Sequence, residues 1–192
     1  MFQSGELTYA IFVSIIASVI FYFIVTYIPD YKKKQAASIQ IEFWLNQIVK
    51  NGEFMLNALS GDFSGDVYEK SRRNWRNITN KPLKPDETII IGKLFEFKDW
   101  FDFFDYFFQE EDYYIGKLEK YIQYLPLEVI MVFDKLESMD SLRYAVNQYK
   151  ENYGIEVIPG FKYDNMSGFE NILLSHIENM LSVVKVYQEH RI

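Results

Sequence analysis

The sequence predicts an all-α protein, with a single N-terminal transmembrane helix followed by a cytoplasmic helical bundle that has long coiled-coil-like helices. Two observations lead to this fold class. Residues 9–28 form an apolar run without one charged side chain, and beyond it apolar residues recur at intervals of three and four. We expect three segments: a transmembrane anchor over residues 1–30, a juxtamembrane helix and basic connection over 31–84, and an acidic helical bundle over 85–192.

The uncharged run, YAIFVSIIASVIFYFIVTYI, is long enough to cross a bilayer, which requires about 20 apolar residues in a helix. Its Ile, Val and Phe residues together favour insertion by about 4–7 kcal/mol on the biological scale. The alternative is a cleaved signal peptide. That class has basic residues before the apolar run and small residues at a cleavage site after it, and this sequence has neither.

Lys32, Lys33 and Lys34 follow the run directly, and no basic residue precedes it. The positive-inside rule therefore predicts an outer N-terminus and a cytoplasmic C-terminal domain at the inner membrane of a cell. The same lysines are candidates for binding anionic lipid. The AT-rich codons of the abundant residues Phe, Ile, Lys, Asn and Tyr favour a bacterial origin.

Small residues occupy one face of the predicted span. Ala10, Ser14 and Ser18 are four residues apart, and Ala17 lies beside them. Small residues let helix backbones approach closely in lipid, so this face is a candidate oligomer interface. The alternative is that the small residues coincide by chance.

Charge is divided unevenly along the chain. Residues 31–84 carry a net charge of +5 and residues 85–192 a net charge of −10. Arg72, Arg73 and Arg76 form the most basic cluster and are candidates for binding an anion or a lipid. The alternative is that they pair with the acidic half of the chain. The acidic distal half argues against binding of nucleic acid.

Five helices are predicted after the anchor. One covers residues 36–59, and one runs from Pro85 to Leu125 with a heptad-like seam of apolar residues that fails only at Glu111. A short strand over residues 88–91 is the alternative for the start of the second helix. The remaining helical segments lie between Leu127 and Asn152 and near the C-terminus, with an extended piece over residues 155–158 between them.

The densest aromatic stretch, residues 100–108, is predicted to be core or an oligomer interface. Carboxylates are interleaved with it at Glu96, Asp99, Asp102 and Asp105. The alternative takes Asp99, Asp102 and Asp105 as metal ligands, but no His accompanies them, and no metal site is predicted.

No sequence motif for catalysis is present: the chain has no P-loop, no Gly-x-Gly-x-x-Gly and no Gly-x-Ser-x-Gly. Of the two histidines, His190 is almost terminal, and His176 is predicted to have a structural role at the edge of the core. We therefore expect no cofactor and no enzymatic activity.

In layout alone, the chain resembles the small single-span proteins of bacterial anti-phage and stress loci. That resemblance implies a membrane-anchored interaction, sensor or effector module that acts on the membrane, with the lipid bilayer and further copies or other membrane proteins as its partners. The alternatives are a membrane-tethered enzyme that uses carboxylates of residues 96–112, or a subunit of a larger membrane complex.

Overall fold

The computed structural model describes residues 4–61, 80–91, 94–138, 141–159 and 161–191. The described structure is mostly helical, as predicted, with little sheet. The chain divides into two compact units, Met1–Ile41 and Glu42–Ile192. The arginine cluster of Arg72, Arg73 and Arg76 lies outside the described residues.

The N-terminal unit is helical throughout its described part. Helix α1 spans Ser4–Tyr22, a π-helical turn spans Phe23–Tyr27, and helix α2 begins at Ile28 and ends at Ser60 in the second unit. Gly61 follows with a φ of 71°, and its N–H donates to the carbonyl of Asn57 at 2.9 Å. Because glycine adopts positive φ at little cost, Gly61 ends α2 where the sequence predicts.

The second unit contains four further helices and two antiparallel hairpins. The helices are α3 (Trp100–Leu118), α4 (Leu127–Glu137), α5 (Leu142–Glu151) and α6 (Glu170–His190), with 3₁₀ turns at Glu119–Tyr124 and Met166–Phe169. The hairpins are β1 (Ile89–Ile91) with β2 (Phe95–Phe97) and β3 (Glu156–Ile158) with β4 (Phe161–Lys162).

The core of this unit is built around the aromatic face of α3. Phe101, Phe103, Phe104 and Phe107 are almost completely buried, and they meet apolar residues of α2, α5 and α6 in one cluster. Buried aromatic side chains of this size remove a large apolar area from water and dominate the stability of a core. The prediction that residues 100–108 form core is confirmed.

Asn51 and Gly52 mark a close approach within the second unit rather than a weak point of α2. A β-carbon added at Gly52 would lie 3.0 Å from the Cβ of Met180 in α6. The buried side-chain amide of Asn51 donates to the carbonyl of Phe107 in α3 at 3.4 Å. The two residues therefore let α2 contact α6 and α3 directly.

The prediction of one long helix from Pro85 to Leu125 is wrong. Its first part forms the β1–β2 hairpin, and its last part becomes a 3₁₀ turn, so only Trp100–Leu118 is α-helical. Ile90, Leu94 and Ile122 of the predicted seam are exposed. In the hairpin, Ile91 and Phe97 turn inward while Ile90 and Glu96 turn outward, which is the two-residue period of a strand.

Candidate functional site

The first candidate site is the exposed apolar helix that covers the predicted span. Its large apolar side chains from Tyr9 to Ile28 are between 43% and 72% exposed, and none is buried. The helix is long and apolar enough to cross a membrane. Water is a poor solvent for such a surface, since each buried Val, Leu, Ile or Phe is worth roughly 1.5–3 kcal/mol. This helix therefore calls for an apolar environment outside its own chain.

The small residues lie on this helix as the sequence predicts. Ala10, Ser14, Ala17 and Ser18 are all exposed. The hydroxyl of Ser18 donates to the backbone carbonyl of Ser14 at 2.9 Å. The side chains of these four residues are therefore accessible, and the bulky Phe21 and Tyr22 follow them on the same side of the helix.

The π-helical turn lies directly before Pro29. The N–H of Ile28 donates to the carbonyl of Phe23, five residues earlier. In a regular α-helix the ring of Pro29 would press on the carbonyl of Val25 and leave it without a donor. We attribute the wide turn to this proline, because π-turns and prolines are the common causes of irregular helix geometry.

The predicted basic sites have different outcomes. Lys32, Lys33 and Lys34 are exposed on the first turns of α2, immediately after the apolar stretch. They are free to reach an anionic surface, and the described structure neither adds nor removes support for lipid binding. Arg72, Arg73 and Arg76 lie outside the described residues.

The second candidate site is a buried pair between helices α3 and α6 that the sequence did not predict. His176 Nε2 lies 3.2 Å from Glu111 Oε2, and both side chains are 2% exposed. The two atoms are close but poorly aligned, so neither has a hydrogen-bond partner among the described residues. A carboxylate removed from water without a full set of hydrogen bonds is costly, and such groups are uncommon away from functional sites.

The positively charged Arg143 of α5 interacts electrostatically with Glu111, the carboxylate of this pair. Its guanidinium donates to both carboxylate oxygens of Asp112, at 2.9 and 2.6 Å, and to the carbonyl of Phe108 at 3.1 Å. The hydrogen bonds to Asp112 raise the pKa of Arg143, and the negative charge of Glu111 contributes to the rise. Arg143 also lies over the ring of Phe108, 5.1 Å from its centre, and that ring is nearly perpendicular to the imidazole of His176, with 6.2 Å between the ring centres.

A cleft of about 210 Å³ opens beside His176. Besides the imidazole, its described lining consists of polar side chains and two apolar ones: Lys135, Ser138, Ser141, Leu142, Ile172, Ser175 and Asn179. Three elements contribute: the end of α4, the start of α5 and the middle of α6. The cleft thus has a mixed polar and apolar lining and lies next to the buried His176.

Two of the carboxylates considered as metal ligands, Asp99 and Asp105, have structural partners. Asp99 precedes α3 and accepts from the N–H of Asp102 at 3.0 Å, and Asp105 pairs with Lys150 at 2.7 Å. Glu96 lies in β2, so these residues do not share one helix face. Among the described residues, no group of three or more His, Asp or Glu is arranged to hold a metal ion.

Sequence reasoning missed Glu111 and its contact with His176. The available sign was that Glu111 interrupts an otherwise apolar seam, since a charged residue on a buried stripe needs a partner. His176 stands beside Ile177 on the inward face of α6, but its partner is 65 positions away and no local pattern links the two.

Neither a protein-family model, a curated protein nor a solved structure matches this chain. The fold and the two sites therefore define a class only: a mostly helical protein with one exposed helix long and apolar enough to cross a membrane, followed by a helical unit with a buried carboxylate–imidazole pair.

Proposed function

We propose that this chain is a single-span membrane protein whose helical domain is a non-enzymatic interaction, sensor or effector module at the cytoplasmic face of a bacterial inner membrane. The observation that carries the proposal is the exposure of every large apolar side chain from Tyr9 to Ile28. A lipid bilayer covers such a helix on all sides without a dedicated protein groove.

The orientation in this proposal depends on Lys32, Lys33 and Lys34. They are exposed beside the apolar stretch, and the described residues before it include no Lys or Arg. Retention of these lysines on the cytoplasmic side places the N-terminus outside and the helical domain inside.

The module is proposed to act through contacts rather than through catalysis. Asp99 and Asp105, two of the carboxylates of residues 96–112 that the enzymatic alternative would use, are engaged in a helix cap and an ion pair. Association of spans through Ala10, Ser14, Ala17 and Ser18 would give an oligomer able to act on the membrane, as the layout resemblance to anti-phage and stress proteins implies.

Two measurements on the full-length protein test the location. Alkaline carbonate washing of membranes is expected to leave the protein in the pellet, and alkaline phosphatase fused after Ile192 is expected to be inactive while a fluorescent protein fused there is bright. Release by carbonate would refute the span. An active phosphatase fusion would refute the orientation while leaving the span intact.

A test of the effector role follows from the same proposal. Expression of the protein is expected to depolarise the membrane, as reported by a potential-sensitive dye. A variant with Ser14→Leu and Ser18→Leu is expected not to do so. Depolarisation by a variant that is monomeric in detergent would exclude the oligomeric effector.

A further inference from the structure

We propose that the buried pair of Glu111 on α3 and His176 on α6 is a proton-linked switch. The pair holds one proton, and the helical unit loses stability when the pair takes up a second proton or releases the first. The inference concerns the helical unit alone, so it stands or falls separately from the membrane location and the oligomeric state of the chain.

The two side chains of the pair meet where water does not reach them. Nε2 of His176 lies 3.2 Å from Oε2 of Glu111, and each side chain is only 2% exposed. Neither of these two atoms has a hydrogen-bond partner among the described residues. The ring of Phe108 borders the imidazole, with 6.2 Å between the ring centres. Each group is therefore the ion-pair partner of the other in surroundings that screen charge poorly.

The number of protons on the pair sets its net charge. With one proton the pair is neutral as a whole, whether the imidazole or the carboxyl group carries that proton. A second proton leaves a positive charge in the core, and loss of the first leaves a negative charge. An unbalanced charge is far more costly to bury than a neutral pair, so the folded protein favours the one-proton form. Groups this close gain and lose protons as a unit.

The described charged groups of α4 and α5 do not replace this proton as a source of balancing charge. The guanidinium of Arg143 on α5 interacts with the carboxylate of the pair, but it is already bound to Asp112 at 2.6 Å. The charge of Glu137 on α4 repels that carboxylate, which favours retention of the proton. Lys135 on α4 borders the cleft next to the imidazole, but it is exposed, and solvent screens its charge.

The neighbouring ionisable groups on α3, α6 and α2 are engaged or exposed. Glu110 of α3 accepts a hydrogen bond from a tyrosine hydroxyl one turn later, and Glu178 of α6 is exposed. Helix α2 presents the uncharged Asn51 to α3, while its Lys50 and Glu53 are exposed. Among the described residues, the charge balance of the pair therefore depends on its own proton.

The pH range of the switch follows from the unfolded chain, in which a glutamate titrates at about pH 4.3 and a histidine at about pH 6.5. Between these values the two unfolded groups also hold one proton in total, so the contribution of the pair to stability does not change with pH. Above about pH 6.5 the folded pair keeps a proton that the unfolded chain has lost, so this contribution falls as pH rises. Below about pH 4.3 the unfolded chain binds a second proton that the folded pair excludes, so the contribution falls as pH decreases. Neutral pH lies at the alkaline edge of this range, where a small pH change alters the stability of the helical unit.

Urea unfolding of the detergent-extracted full-length protein, followed by circular dichroism between about pH 6 and pH 9, tests the switch. Because one proton is linked to folding, the folding equilibrium constant should fall by up to about tenfold for each pH unit above about 6.5. Glu111→Gln with His176→Gln replaces both ionisable groups by neutral amides and should remove this fall. If that variant does not fold, Glu111→Leu with His176→Leu takes its place.

Glu178→Gln with His190→Gln is the matched control, because it replaces the same two residue types at exposed positions of α6. It also leaves His176 as the one histidine of the chain. The control should retain the pH dependence of the unaltered protein. An equally steep fall in the pair variant, or loss of the fall in the control, would overturn the proposal. If neither pair variant folds, the control with Glu137→Gln added decides the question: a fall above about pH 6.5 supports the switch, and its absence contradicts it.

Discussion

Glu111 and His176 place a carboxylate and an imidazole 3.2 Å apart inside a core dominated by Phe, Leu, Ile and Val. The free-energy cost of burying either side chain depends on the presence of the other. Each has lost its contacts with water, and the pair lacks the hydrogen-bond alignment that would compensate fully. Such a pair contributes little net stability, yet removal of either partner leaves a buried polar group alone.

The pair therefore predicts a non-additive pattern. Glu111→Leu alone should destabilise the fold by about 1–3 kcal/mol, since it leaves the buried imidazole without its neighbour, whereas Glu111→Leu with His176→Leu should recover most of that loss. Thermal unfolding of the detergent-extracted protein, followed by circular dichroism, measures both. Additive losses in the double variant would show that the two residues act independently.

Glu137 gives a prediction about pH. Burial raises the pKa of its carboxyl, and the negative charge of Asp112 adds to the rise, while Arg143 opposes it in part. Because the folded protein holds this proton more tightly than the unfolded chain, the contribution of Glu137 to stability is complete below the unfolded pKa and is lost as pH rises through the folded pKa.

Glu137→Gln should remove this dependence. The melting temperature of the variant should fall less than that of the unaltered protein between pH 4.5 and neutrality, and it should be higher at neutral pH. Glu128→Gln, an exposed change at the other end of α4, is the control. Identical pH profiles for all three proteins would contradict the assignment to Glu137.

At the scale of elements, the start of α3 depends on Asp99. Its side chain accepts from the N–H of Asp102, which satisfies one of the free donors of the first turn. Asp99→Ala should cost about 0.5–2 kcal/mol of stability, and Asp99→Asn should be nearly neutral because asparagine caps equally well. Thermal unfolding distinguishes the two. An activity lost in the stable Asn variant would favour the enzymatic alternative over a purely structural role.

The helices and hairpins also show which sequence patterns were sufficient to predict secondary structure. The stripe Ile41, Leu45, Ile48, Met55 and Leu59 predicted a helix, and all five side chains are buried on α2. The run from Ile90 to Phe97 satisfied helical spacing as well, but short apolar runs fit both periods, and pairing of Ile89 with Phe97 across a hairpin decides between them. Such pairing is a tertiary choice that a single segment does not specify.

The candidate sites could likewise be predicted only where they do not depend on the packing of separate segments. The apolar helix could be predicted because its composition alone indicates that its side chains favour an apolar solvent over water. The cleft was not, because Lys135, Ser141 and His176 come from three helices and meet only after those helices pack. Likewise, the close approach at Gly52 requires knowledge that α6 lies against α2, although the sequence offers only a glycine within a helical pattern.

At the scale of the whole molecule, self-association should depend on the small-residue face of α1. Ser14→Leu with Ser18→Leu adds bulk to that face and should leave the protein monomeric where the unaltered protein forms the proposed oligomer, as measured by crosslinking in membranes and light scattering in detergent. Ile16→Leu with Val19→Leu changes the opposite face and should leave the oligomer intact. Oligomers that survive the first pair of changes would exclude this face as the interface.

The hydrogen bond from the Ser18 hydroxyl to the Ser14 carbonyl has a consequence for how two spans could adhere. A hydroxyl whose proton is already committed to its own backbone has none to offer a neighbouring chain. In the proposed association, Ser18 would then contribute through close backbone packing rather than by donating a hydrogen bond to a neighbouring span. Alanine at position 18 should therefore serve as well as serine, and the crosslinking yield of Ser18→Ala should match that of the unaltered protein.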